Sequence, residues 1–344
     1  MIVSFLRSFC HPINVVIVVK SNFNPSIDLI NWEMASFIPF RDMETCKRVA
    51  KITKEDLCKH PNPEFKIRIL PISEFHLEMA LDILTRIRKA AEEDKPFVGI
   101  FPVGPIFQYP ILAKIVNALN VSLKHVHFFF MDEYADDKGN DINPEWPGSF
   151  HYTMNRVFFS QIKPELRPPK EQIHFPSKEN IEYYDDLIRE ARGERGAKGA
   201  HICYGGTGLS GHLAFWDPHL AYEYNSLEDW KKAGPRLVEL HPISIMQMTF
   251  TDMNGAWAFV PPKAYTIGPA QVLNADYRGW WNDGCGITWK SGYVAGLTWQ
   301  KFIIRLAAHG PVTPLVPCSI LQTVPTDFVI IEPLAEDVTI EITA

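Results

Sequence analysis

The sequence predicts an α/β fold: a doubly wound, largely parallel sheet with helices on both faces, preceded by an N-terminal extension. Three observations lead there. Runs such as F-V-G-I-F-P-V from Phe97 and V-H-F-F-F-M at 126–131 are apolar at successive positions, the pattern of strands covered on both faces. Segments with helical spacing of apolar residues stand between such runs, and strand–helix alternation favours parallel pairing through right-handed crossovers. Finally, the run H-I-C-Y ends in four glycines, at 205, 206, 208 and 211. A buried strand stops there and opens a Gly-rich loop, the usual ligand position at the carboxyl end of a parallel strand.

In order along the chain, residues 1–62 are expected to form the extension and residues 63–344 the α/β domain. The first twenty residues carry the apolar runs I-V-S-F-L and V-V-I-V-V, but Arg7, His11 and Pro12 interrupt them. That stretch is too short to span a bilayer, so no transmembrane segment is expected; a divergent signal sequence is the alternative to an extension packed on the main domain. Asp42 to His60 is charged and helix-compatible, and Pro61 and Pro63 mark a boundary before the strand K-I-R-I-L-P at 66–71. A helix over Ser73–Glu93 places Phe75, Met79, Leu81, Ile83, Leu84 and Ile87 at mostly helical spacing. Gln108 to Asn120 follows the next strand as a helix, with Pro110 tolerated in its first turn. After the strand at 126–131 come a loop at 135–147, a helix from Ser149, a short strand at 173–175, a charged helix from Ile181 to Arg192 and the strand into Gly205. His219 to Pro262 is aromatic and Pro-rich, readable as an active-site lid or as a structural insertion. Leu297–Ala308 reads as a helix and F-V-I-I-E at 328–332 as a late strand.

Composition narrows the function. The chain has 344 residues, 46% hydrophobic and 22% charged, with a formal net charge of −6 and no dense basic run, which argues against a nucleic-acid partner. Its six cysteines are scattered at 10, 46, 58, 203, 285 and 318, with no C-x-x-C pair and no zinc-type Cys/His spacing. The expectation is a reduced, cytoplasmic protein without membrane, metal or organic cofactor.

His212 and Asp217 directly follow the glycines. An imidazole with a carboxylate nearby, beside exposed backbone donors, has the parts of a proton-transfer site; the plainer alternative is a tight turn whose His and Asp satisfy backbone groups. Asp132 ends the strand at 126–131, where side chains of parallel strands project into the crevice. It is a candidate base, with a helix or turn cap as the alternative. Apolar neighbours such as Phe130 and Met131 would raise its pKa toward neutrality.

The stretch G-G-T-G-L-S-G-H-L-A-F-W-D-P at 205–218 resembles the G-G-x-G-x-D-G-H-I-A-F-N-E-P signature of the glucosamine-6-phosphate deaminases, also called isomerases. L-K-H-V-H-F-F-F-M-D-E-Y, ending at Tyr134, resembles the strand of that family that finishes in M-D-E-Y, and S-F-H-Y-T-M-N-R-V-F-F resembles the helix after it. The resemblance runs from about Lys66 to near the C-terminus. The related 6-phosphogluconolactonases share the Gly-His core, but the A-F-x-acid-P ending and M-D-E-Y favour the deaminase branch. The resemblance implies that Asp132 moves a proton between C2 and C1 of an open-chain amino sugar, and that His212 shuttles a proton at the ring oxygen. It further implies that Asp217 orients that histidine, with Glu133 and Tyr134 in support. Gly104, Gly205, Gly206, Thr207, Gly208, Ser210 and Lys301 then contact the substrate, a small-molecule sugar or sugar phosphate. Asp132 and His212 should converge at the carboxyl ends of two neighbouring strands. Members of the family often form homo-oligomers, which makes one an expectation here.

The chain also departs from the pattern. Ser210 stands where the family has aspartate, so the relay to His212 should be weaker or differently wired, and restoring a carboxylate there should raise a relay-limited rate. Asp217 replaces a glutamate and is one methylene shorter, so contact with His212 needs a backbone shift or a water. Where the family has a loop like P-T-G-G-T-P around the sugar phosphate, this chain reads P-V-G-P-I-F from Pro102 to Phe107. Gly104 survives, Pro105 lacks an N–H, and Ile106 and Phe107 bring no hydroxyl, which makes the loop poor at holding a dianion. The family's phosphate-binding arginine is missing from M-Q-M-T-F at Met246–Phe250. Lys301 matches the family's phosphate lysine, or is a surface lysine in a helix's first turns. Trp216, at an asparagine position of the family, and Phe107 read as sugar contacts or core filling, with a lean to contact. Trp280, Trp281 and Trp289 have no assignment. The leading expectation is an enzyme that isomerises or deaminates an amino sugar or sugar phosphate, including a non-phosphorylated one. A non-catalytic sugar-binding or regulatory protein and a lactonase-type hydrolase using His212 are the alternatives.

Overall fold

The computed structural model describes residues 25–284 and 298–340, with the short backbone pieces 287–288 and 292–293 between them. The readings of the first twenty residues, of Cys10, Cys285 and Trp289, and of a helix starting at Leu297 lie outside the described residues.

The strands are β1 (Phe65–Leu70), β2 (Phe97–Phe101), β3 (Val126–Phe130), β4 (Asp132–Ala135), β5 (Ile173–His174), β6 (Ile202–Gly205), β7 (Arg236–Glu239), β8 (Lys263–Thr266), β9 (Tyr277–Asn282), the pair β10 (Ile287–Thr288) and β11 (Gly292–Tyr293), and β12 (Thr326–Ile331). Seven of them form one sheet in the order β1-β12-β9-β6-β2-β3-β5, and all its pairings are parallel. The successive apolar residues have the expected cause: Phe128, Phe129 and Phe130 are all fully buried, so both faces of β3 are covered. The chain moves outward from β2 to β3 and β5, returns to β6 on the other side of β2, and then moves outward through β9 and β12. Right-handed crossovers put the helices of the two halves on opposite faces. Between β2 and β6 the following loops leave in opposite directions. That switch point leaves a crevice outside the carboxyl ends of the strands.

A second, antiparallel sheet, β4-β8-β7, stands beside this edge. It forms because the chain turns at Met131, whose N–H still bonds Phe101 O at 3.0 Å and whose carbonyl accepts from Ile267 N at 2.8 Å. The stretch His219–Pro262 is therefore not irregular: it supplies β7 and the helix Pro242–Thr251. The late helix runs Lys301–His309.

The described part of the extension is built into the same core. Val49 and Leu57 are fully buried in the main hydrophobic cluster. The wholly buried Arg305 donates to Ile52 O at 2.8 Å, Leu334 O at 3.1 Å and Ala335 O at 2.8 Å, tying extension, late helix and C-terminal segment together. Such a guanidinium is tolerated in the interior because carbonyls meet its donors. No helix among the described residues is long and apolar enough to cross a membrane.

Candidate active site

Two loops meet at the switch point. The loop after β6 carries the glycines, and β6 lies so close to β9 that a Cβ on Gly205 would stand 2.4 Å from the Trp280 ring. Trp280 and Trp281 thereby gain a role as packing beneath the loop, both essentially buried. Thr207 is also fully buried, with its N–H donating to Asn282 Oδ1 at 3.0 Å, so it fixes the loop from below. Gly208 has φ +61°, and a Cβ there would fall 2.2 Å from His212 Nε2. Only glycine lets the imidazole lie against the loop backbone.

The next turn brings His212 onto Asp217. Ala214 takes a left-handed φ of +52°, Trp216 N bonds Leu213 O at 2.8 Å, and the chain doubles back. An alanine in that region stores strain that its surroundings must hold, a feature concentrated at functional sites. His212 Nδ1 then faces Asp217 Oδ1 directly at 3.3 Å. The shorter side chain reaches His212 without a bridging water, because this turn closes the distance.

Asp217 is fully buried and is the hub of the site. Its Oδ1 accepts from Ser210 Oγ at 2.8 Å and Ser244 Oγ at 2.6 Å, and its Oδ2 accepts from His241 N at 2.9 Å. Burial pushes its pKa up, but the bonds from His212, Ser244 and the His241 N–H outweigh that and hold it below the usual carboxylate value. Ser210 thus serves Asp217 rather than the imidazole. Ser244 Oγ also lies 3.3 Å from His212 Nδ1.

Asp132 sits at the bend between β3 and β4 and is buried. Its pKa lies well above the usual carboxylate value: burial is the main cause and the charge of Glu133 adds to it, while a hydrogen bond from the Phe215 N–H pulls the other way. Asp132 and His212 are linked through Phe215 and Thr266, with the Phe215 ring packed edge-on to the imidazole at 5.9 Å. Their strands are not neighbours, since β2 lies between β3 and β6. The second sheet closes the gap instead: Phe215 N donates to Thr266 Oγ1 at 3.1 Å, and Thr266 is the register partner of Asp132. Glu133 accepts from Phe150 N at 3.1 Å and His151 N at 2.8 Å at the start of the helix Phe150–Val157, so it holds the strand end in place.

Several site residues gave no signal in the sequence. The helix Pro242–Thr251 brings Ser244 to the hub, and its Gln247 Oε1 accepts Leu209 N at 2.6 Å. Gln300 bridges Gly284 N at 2.8 Å and Gly208 O at 3.4 Å. Lys301 donates to Asp337 O at 3.3 Å and so is held toward the C-terminal segment. Trp216 is a core residue and not a sugar contact: it is fully buried beneath Arg236, whose guanidinium lies 4.7 Å from the ring centroid.

At the other side of the crevice, Gly104 is exposed and the loop after β2 is tied down by its own helix, with Gln108 Nε2 donating to Pro105 O and Tyr109 Oη to Pro102 O. Phe107 occupies the N-cap position of that helix without a side-chain cap. The loop lacks the hydroxyls and one of the N–H groups a phosphate would use.

No protein-family model matches the chain. Among curated proteins, the glucosamine-6-phosphate deaminase of Glaesserella parasuis is 32% identical over 207 residues, 60% of this chain and 70% of that protein. Those of Mannheimia succiniciproducens and Actinobacillus pleuropneumoniae are 28% and 34% identical over 186 residues, and each is spanned over 62% of its length, less than two thirds. Among solved structures, a monomeric glucosamine-6-phosphate deaminase superposes with a TM-score of 0.62 at 19% identity, covering 79% of this chain and 98% of that one. The 6-phosphogluconolactonase of Trypanosoma cruzi gives 0.54 at 14% identity over 82% of this chain and all of its own, a likeness of fold. With the G-H-L-A-F turn and M-D-E-Y strand end placed around one crevice, the chain belongs to the glucosamine-6-phosphate deaminase family.

Proposed function

We propose that the protein is a divergent sugar isomerase/deaminase acting by proton transfer on an open-chain amino sugar whose far end is not held by the family's phosphate clamp. The observation that carries this is the direct contact of His212 with Asp217, linked through Phe215 and Thr266 to the buried Asp132. A general base with a raised pKa and a separate imidazole shuttle are the two groups the reaction needs. His212, kept in orientation by Asp217, moves a proton at the ring oxygen as the ring opens. Asp132 takes the C2 proton, leaving an enolamine, and returns it at C1. The resulting C2 imine adds water and releases ammonia. Gly205, Gly206, Gly208 and Ser210 shape the floor, and Gly104 leaves room at the far side. The direct His212–Asp217 bond favours turnover over a site kept for binding alone.

The test is ammonia release from glucosamine and from glucosamine 6-phosphate at fixed salt. Release from glucosamine at least equal to that from the phosphorylated sugar is the expected result. Absence of ammonia and of ketose with both sugars would remove the enzyme reading. A strong, salt-sensitive preference for the phosphorylated sugar would remove the unphosphorylated substrate.

A further inference from the structure

Three segments meet at the far end of the crevice. A Cβ on Gly206 would lie 3.8 Å from Pro105 Cδ, 3.9 Å from Gly104 O and 2.9 Å from Trp281 O, so the loops after β2 and β6 and the end of β9 crowd around one position. Asp283 follows β9 between two anchored residues: Asn282 holds Thr207 N, and Gly284 donates to Gln300, which reaches Gly208 O. Its carboxylate faces His76 Nε2 at 3.3 Å, and the His76 ring packs edge-on to Phe107 at 5.3 Å. The His76 side chain is 10% exposed and that of Asp283 24%, so the imidazole is sealed beneath while the carboxylate is reached from solvent.

This pair belongs to neither the His212 network nor the motifs that identify the family, and its chemistry is selective. A phosphate dianion needs N–H donors and cations. Here the loop offers Pro105, Ile106 and Phe107, and the polar pair reached through Phe107 is His76 with the carboxylate of Asp283. A sugar hydroxyl, by contrast, donates to a carboxylate, and a carboxylate bonded through Oδ2 to His76 still has Oδ1 to accept with.

We propose that Asp283, oriented by His76, determines specificity at this end of the site: it accepts a hydrogen bond from a terminal hydroxyl of an unphosphorylated amino sugar and repels a phosphate placed there. The inference rests on the reading above for the kind of sugar bound, but not on turnover. It is tested by calorimetry of glucosamine and glucosamine 6-phosphate against the full chain and Asp283→Asn at fixed low salt, with ammonia release followed in parallel. The parent should bind glucosamine about tenfold tighter or more, and Asp283→Asn should shift the ratio toward the phosphorylated sugar by about tenfold or more, because the amide keeps the shape and removes the charge. A purely structural loss would weaken both sugars together. Should Asp283→Asn fail to melt like the parent, His76→Asn is the second variant: it leaves the charge and should weaken glucosamine while still disfavouring the phosphate.

A parent that prefers the phosphorylated sugar, or a ratio unchanged by Asp283→Asn, overturns the proposal. Selective binding with no ammonia from either sugar overturns the isomerase reading and leaves this one standing. Ammonia from the phosphorylated sugar with a ratio insensitive to Asp283→Asn does the reverse. Failure of both sugars to bind overturns both.

Discussion

The two ends of the crevice are built differently. At the His212 end, side chains and amides from four separate elements converge on each other: Ser210, His212 and Asp217 from the turn after β6, Ser244, Gln247 and the His241 amide from the helix Pro242–Thr251 and its cap, Thr266 from β8, and Asp132 from the bend after β3. At the Pro102–Phe107 end, one short loop is bonded chiefly to its own helix. A buried polar group that loses its partner costs about 1–3 kcal/mol, so the first network resists piecemeal change. A loop at the surface can exchange residues without unfolding the protein, which is how a substrate preference can shift while the chemistry stays.

The largest effect should come from breaking the chemical end. Asp132→Asn keeps shape but cannot accept the C2 proton, and positioned general bases contribute about 10²–10⁴-fold, so kcat should fall by that order while the thermal midpoint holds or rises. An unaltered rate in a folded variant removes Asp132 from the mechanism. The pH profile sharpens the point, because the two carboxylates are shifted in opposite directions. Asp132, raised by burial, must be ionised to act, so the acid limb of kcat/KM should lie above the ordinary aspartate value of about 3.9. Its protonation favours folding as pH falls through that raised value. Asp217 is held low, so its contribution to stability is complete above about 3.9 and is lost as pH falls through its own lower value. An acid limb of activity near 4 would mean that Asp132 is not shifted, or is not the base.

The next effect tests whether Ser210 weakens the site. From the motif alone, Ser210→Asp should strengthen the relay. The geometry reverses the sign: Ser210 Oγ lies 2.8 Å from Asp217 Oδ1 in a buried position, where a second carboxylate would face the first with no cation between them. One of the two must take up a proton, and Asp217 then no longer backs His212 with a full charge. Activity is expected to fall about tenfold or more, with a lower melting temperature. A faster enzyme would restore the motif-based expectation.

How legible each end was in the sequence follows from the same physics. Strands buried on both faces must be apolar at every position, so β2 and β3 were readable, and the glycines marked the loop because Gly208 must lie against His212. Ser244 and Gln247 left no signal. Their helix turns Ser244 inward and leaves Met246 and Phe250 45% and 66% exposed, the reverse of the pattern from which a buried face is read. Trp216 misled for the opposite reason: its place in the motif suggested contact, while its burial depended on Arg236, twenty residues on. Asp283 and His76 lie far apart in the chain, and only the sheet order joins them.

The smallest effect concerns Lys301, which the motif makes a phosphate ligand. Its amine donates to Asp337 O at 3.3 Å, next to the carbonyls of Ala335 and Glu336 that Arg305 holds. Lys301→Ala should therefore remove the bond to Asp337 O, worth about 0.5–1.5 kcal/mol, from the docking of the C-terminal segment. Because Gln300 reaches the glycine loop and Lys301 donates to the C-terminal segment, the KM for glucosamine should change less than about threefold. The discriminating measurement is the KM for glucosamine 6-phosphate in the same variant. If Lys301 swings to the crevice and rebuilds an anion site, that KM should rise about tenfold or more, since a charge-assisted bond to phosphate is worth about 1.5–3 kcal/mol. A rise of that size would make the far end a phosphate site after all. Equal, small changes for both sugars would leave Asp283 as the group that reads it.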